Sequence, residues 1–133
     1  MERSCIEHFG TFNHANIFDK LPKPLCEDDI LFKCRISYNE TDFNVEFGPY
    51  VRKEIKTIKV IEANDIEYSF KYSDRSEISY LKSIHSGYDE VLFTKNGFIC
   101  DTSIANVVLT QNGKLFTPDT CLLKGVQRAY LLD

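Results

Sequence analysis

The stretch Phe98-Ile99-Cys100-Asp101-Thr102-Ser103-Ile104-Ala105-Asn106-Val107-Val108-Leu109-Thr110, residues 98–110, decides how the second half of the chain is read. Apolar strand residues flank a small polar break that holds a carboxylate and two hydroxyls. The break is not needed as a turn. Asn96-Gly97 and Asn112-Gly113 lie on either side of it, and Asn-Gly is the strongest short hairpin signal because both residues tolerate positive φ. The runs around these two pairs predict a four-strand meander from about Glu90 to Thr117, interrupted at Asp101 for some other purpose.

Working outward, residues 118–125 lead to a final helix, Val126-Gln127-Arg128-Ala129-Tyr130-Leu131-Leu132-Asp133. Upstream, Ile78, Leu81, Lys82 and His85 lie at helical spacing, so residues 76–87 predict a helix stopped by Gly87. Residues 55–62 and 66–73 alternate as strands, and 30–39 and 43–47 form a hairpin by pattern. Residues 48–54 break the periodicity and are the linker candidate. Residues 2–9 resemble a helix end broken by Gly10, and 11–24 are polar and irregular. The organisation expected is a small N-terminal portion over 1–47, a linker over 48–54 and a larger domain over 55–133. Neither terminal helix carries a cap, so the sequence reads as the middle of something longer.

Bulk properties narrow the function classes. The chain has 133 residues, 43% apolar and 13% aromatic, enough for a packed core. Sixteen basic and 20 acidic residues give a net charge of −4 without a basic stripe, so no nucleic-acid partner is expected. Five cysteines lack CxxC spacing, and the three histidines do not pair with them as metal ligands, so no metal site is expected. No apolar run approaches membrane-spanning length, and the cysteine usage suits a reducing, cytoplasmic compartment.

Three positions could carry chemistry. Lys71 lies in Glu67-Tyr68-Ser69-Phe70-Lys71-Tyr72-Ser73, where strand alternation puts Ser69, Lys71 and Ser73 on one face. That face is either plain solvent surface or a platform for a Schiff-base lysine. Asp101 is either a turn residue bonding nearby N–H groups or an acid held for a ligand. Gly125 stands at the mouth of a helix, where the free amides of Val126 and Gln127 suit an anion. None is convincing alone, but their order and spacing are.

From Lys71 to Arg128 the sequence resembles the class IV aminotransferase family, the fold-type IV pyridoxal-phosphate enzymes. The resemblance rests on Lys71, then residues 88–93 (YDEVLF), 100–108 (CDTSIANVV), 115–118 (LFTP) and 122–128 (LLKGVQR), in the family's order. It implies an α+β fold: a small N-terminal α/β portion and a C-terminal β-meander, barrel-like domain with flanking helices, like D-amino-acid aminotransferase. It also implies that Lys71 links covalently to pyridoxal 5'-phosphate and, once displaced by substrate, moves the proton at the substrate carbon. Asp101 would pair with the pyridine nitrogen, in a place where the family uses Glu. The amides of Val126 and Gln127, after Gly125, would hold the phosphate. The family's main phosphate-binding Arg would fall immediately before Met1, so the chain is read as a shortened member.

Arg35 falls on a strand that borders the substrate in this family. It is read either as a bidentate partner for a substrate carboxylate or as an ordinary surface arginine. The function expected is aminodeoxychorismate lyase-like, releasing pyruvate to leave 4-aminobenzoate from a small-molecule amino substrate. The alternatives are a branched-chain or D-amino-acid transaminase, and a cofactor-free shortened homologue without activity. The family also implies a homodimer.

Overall fold

The computed structural model describes residues 6, 7, 9, 10 and 31–133. Ile6, Glu7 and Phe9 are helical, and Gly10, at φ 70°, donates its N–H to the Ile6 carbonyl at 3.0 Å. The rest of the helix expected over 2–9, and the irregular segment 11–24, lie outside the described residues. The chain divides into two units, Met1–Lys53 and Glu54–Asp133.

The first unit contains a hairpin of β1 (Phe32–Tyr38) and β2 (Phe43–Pro49), antiparallel with Phe32 opposite Pro49 and Tyr38 opposite Phe43. Its turn is organised by Asn39, whose Oδ1 accepts from the backbone N–H groups of Thr41 at 3.0 Å and Asp42 at 2.7 Å. That is the turn chemistry for which Asn is favoured. Tyr50 continues the pairing by donating to the Leu31 carbonyl at 2.7 Å.

The second unit is built on a three-stranded mixed sheet in the order β3-β4-β5. β3 (Ile58–Glu62) runs parallel to β4 (Glu90–Lys95), and β5 (Phe98–Thr102) returns antiparallel beside β4. Parallel pairing requires a crossover, and α1 (Ser76–Ser83) lies in it. β4 is the central strand, and Glu90, Val91 and Phe93 are all buried. Both faces of β4 are therefore covered, as expected of a strand with a parallel neighbour. The core comprises Ile61, Ala63, Ile66, Ile78, Val91, Phe93 and Cys100, with Tyr68, Leu81 and Leu122 packed against it.

The parallel pair is fastened at its start by Asp89. Its Oδ2 accepts from Lys56 N at 3.0 Å, Thr57 N at 2.9 Å and Thr57 Oγ1 at 2.9 Å. α1 begins where Asp74 Oδ1 accepts from Ser76 N at 2.9 Å, a bond that holds the Asp74 carboxyl below its ordinary value. The helix ends at Ser83, short of the expected Gly87. Tighter three-residue bonds take over, from His85 N to Lys82 O and from Ser86 N to Ser83 O.

Both Asn-Gly pairs adopt the expected conformation, with φ of 50° and 81° at Asn96 and Gly97, and 51° and 74° at Asn112 and Gly113. The hairpins they close do not join into the expected four-strand meander. β6 (Leu109–Gln111) and β7 (Lys114–Phe116) form a separate two-stranded sheet. The break after Asp101 separates the two hairpins, leaving one isolated bridge between Asp101 and Asn106.

The strand expected over 66–73 is also not formed. No strand among the described residues pairs with it, so its backbone bonds locally, with Tyr72 N donating to Phe70 O at 2.9 Å. The chain closes with α2 (Val126–Leu132). No helix among the described residues is long and apolar enough to cross a membrane.

Candidate functional site

The break that interrupts the 98–110 stretch is a tight turn organised by Thr102. Its Oγ1 accepts from Ile104 N at 3.3 Å and Ala105 N at 3.0 Å and donates to Ala105 O at 3.0 Å, while its own N–H donates to the same carbonyl at 2.9 Å. A hydroxyl bonding its own backbone in this way competes with a continued ladder. The strand therefore stops just after Asp101.

Asp101 is 5% exposed. Its Oδ1 accepts from Asn106 Nδ2 at 2.9 Å and its Oδ2 from Leu123 N at 3.0 Å. Asn106 Nδ2 also donates to Leu123 O at 2.7 Å, and Gly125 N donates to the same carbonyl at 2.9 Å. One carboxylate and one carboxamide thus join β5, the break and the loop that enters α2. Thr120 Oγ1 reinforces the junction by donating to Ile99 O at 2.5 Å.

Gly125 caps α2 with φ −66° and ψ 146°, a conformation open to any residue. A glycine is required there for a different reason: an added Cβ would collide with Asn106 Oδ1. We expect Gly125→Ala to destabilise the protein by about 1–3 kcal/mol, the usual range for overpacking. The loss should shrink when Asn106→Ala is already present. Urea unfolding of the two single variants and the double variant measures this coupling, and strictly additive losses would contradict the collision. No side chain among the described residues caps the helix by a hydrogen bond, and Val126 is 86% exposed.

Lys71 is exposed and sits at the apex of the three-residue turn closed by Tyr72 N on Phe70 O. The rings of Phe70 and Tyr72 meet edge to face at 6.0 Å, bracketing it. Arg35, on β1 of the other unit, faces Glu46 across the hairpin at 3.9 Å, with both side chains more than half exposed. An exposed pair of this kind holds its partners weakly.

Sequence reasoning missed a second cluster beside the break. Glu90, 1% exposed, carries an ion pair with Lys82, Nζ to Oε2 at 2.5 Å, and Oε1 accepts from Val91 N at 2.9 Å. Lys82 Nζ also reaches Ser103 Oγ at 3.4 Å, and Arg75 Nη2 donates to the Ser103 carbonyl. Burial pushes the Glu90 carboxyl up, but the bonds from Lys82, Ser103 and the Val91 amide outweigh it and leave the group below its ordinary value. A signal was present: Glu90 begins an otherwise apolar strand, and a carboxylate in such a place needs a partner.

The family model described as amino-transferase class IV matches residues 77–133, which include Asp101, Asn106, Gly125, Val126 and Gln127. An uncharacterised protein of Haemophilus influenzae is 40% identical over 134 residues, a match spanning 99% of this chain and 71% of the relative. A crystal structure from Haemophilus somnus 129PT, provisionally assigned as a 4-amino-4-deoxychorismate lyase, aligns with a TM-score of 0.87 and 34% identity. That alignment covers 98% of this chain and 70% of the other. The junction of acid, carboxamide and helix mouth lies inside the matched region, and the chain belongs to the class IV aminotransferase family, on its aminodeoxychorismate lyase-like side.

Proposed function

We propose that the protein acts as a pyridoxal-phosphate-dependent lyase that converts aminodeoxychorismate to 4-aminobenzoate and pyruvate. The observation that carries this reading is the likeness to the Haemophilus somnus structure over 98% of the chain. The residues fit the cofactor by their chemistry. Lys71 offers an exposed primary amine, and Asp101 a buried carboxylate whose two oxygens each accept one bond and retain capacity for another. The mouth of α2 offers backbone amides that no side chain caps.

When bound, the cofactor supplies an electron sink for the carbon that bears the substrate amine. The protein's own part falls to few groups. Lys71 would hold the cofactor through its Nζ and, when its amine is free, would serve as the base at that carbon. Asp101 would favour a protonated ring nitrogen by accepting a hydrogen bond from it. The backbone amides of Val126 and Gln127, after Gly125, would hold the phosphate, and Arg35 is read as a partner for a substrate carboxylate. The reading extends to a cytoplasmic homodimer of D-amino-acid aminotransferase-like fold, with 1–47 as a small N-terminal portion and 55–133 as the larger domain.

The test begins with purified protein and added pyridoxal phosphate. A visible absorption band, and borohydride reduction that fixes the label on the peptide containing Lys71, are expected. Aminodeoxychorismate should then yield 4-aminobenzoate and pyruvate in equal amounts. Amine transfer to a 2-oxo acid instead would make the protein a transaminase, and a colourless, unlabelled protein would overturn the cofactor reading.

A further inference from the structure

We propose that Asn106 is a positioning residue whose single carboxamide sets the aim of the Asp101 acid. The inference rests on the cofactor reading above and adds to it a residue that does not itself touch the cofactor. Three observations meet at this side chain. Its Nδ2 donates at 2.9 Å to Asp101 Oδ1 and at 2.7 Å to Leu123 O, which uses both of its hydrogens. Its Oδ1 occupies the place where a side chain on Gly125 would begin. Its backbone forms the isolated bridge with Asp101 itself.

The consequence for Asp101 is directional. Each carboxylate oxygen accepts along about two lone-pair directions. Asn106 takes one at Oδ1 and Leu123 N takes one at Oδ2. The directions left for a ring N–H are those that these two donors leave free, and Leu123 is itself held through its carbonyl by Asn106. Aspartate at position 106 would present a second carboxylate instead of a donor, and glutamine would carry the amide one methylene further, toward Gly125. Asparagine alone supplies both donors at this reach.

The test compares binding of pyridoxal phosphate with binding of its 1-deaza analogue, in which a C–H replaces the ring nitrogen. A residue that acts through Asp101 matters only for the ligand that has the nitrogen. Asn106→Ala is expected to weaken pyridoxal phosphate binding about tenfold, the scale of one hydrogen bond to a charged group, while the analogue changes by less than about threefold. Asp101→Ala should show the same selectivity. The ratio between ligands cancels any loss of folded protein; if Asn106→Ala does not fold, Asn106→Ser carries the same comparison.

Equal weakening of both ligands, or of neither, while the unaltered protein binds pyridoxal phosphate, overturns the positioning role and leaves the cofactor reading intact. Failure of the unaltered protein to bind pyridoxal phosphate overturns both.

Discussion

Replacing Lys71 with alanine is expected to lower turnover by about 100- to 10,000-fold, the range for loss of a positioned proton-transfer group. Borohydride should then no longer fix the cofactor to the protein. The thermal midpoint should hardly move, because Lys71 is exposed and forms no hydrogen bond or ion pair with the described residues. That separation makes the result informative: a chemical role predicts lost turnover with intact folding. Added small primary amines should restore part of the rate by supplying the missing base in solution. A variant that retains the full rate, or that keeps its reducible label, would remove Lys71 from the chemistry.

Lys82→Met should destabilise the second unit by about 3 kcal/mol at neutral pH, the low end for breaking one side of a buried ion pair. Glu90 is 1% exposed, so without Lys82 its carboxylate keeps only the Val91 amide and the nearby Ser103. The sign of the pH dependence should invert. In the unaltered protein the Glu90 carboxyl is held below its ordinary 4.5, so its contribution is full above that value and is lost as pH falls through the folded value. In Lys82→Met, burial acts with little opposition and raises the carboxyl, so the variant regains stability as pH falls and the gap between the two proteins narrows in acid.

Glu90→Gln added to Lys82→Met should recover much of the loss. Denaturant unfolding across acid and neutral pH measures both effects, and a constant gap would mean that Glu90 does not depend on Lys82.

Features with a strictly local cause were legible in the sequence. The Asn-Gly turns, the β1–β2 hairpin and the start of α1 each follow from residues within a few positions of one another. The break at Asp101 was legible too, although its two partners were not. Asn106 lies five positions away and is hidden in an apolar run, and Leu123 acts through its backbone, which sequence does not distinguish.

The parallel pairing of β3 with β4 was missed because alternation reports a strand but not its neighbour. Residues 66–73 show the reverse error: their pattern suits a strand, but a ladder needs a partner and the segment bonds to itself. Gly125 was read as leaving room for an anion at the helix mouth, and the side chain that stands where its Cβ would be is that of Asn106, which the pattern alone does not reveal.

The crossover between β3 and β4 bears on how Lys71 and Asp101 are each held. β4 and β5 are joined by Asn96 and Gly97 alone, a short connection whose shape is preset by positive φ. β3 and β4 meet only when residues 63–89 close on themselves, and loop-closure entropy makes this the more demanding of the two junctions. Asp101 lies on β5, beyond the short connection, whereas Lys71 lies inside the long one. Asp101 is thus held from both sides of the break, by Asn106 and by Leu123, whereas the place of Lys71 depends on the crossover that brings β3 and β4 side by side.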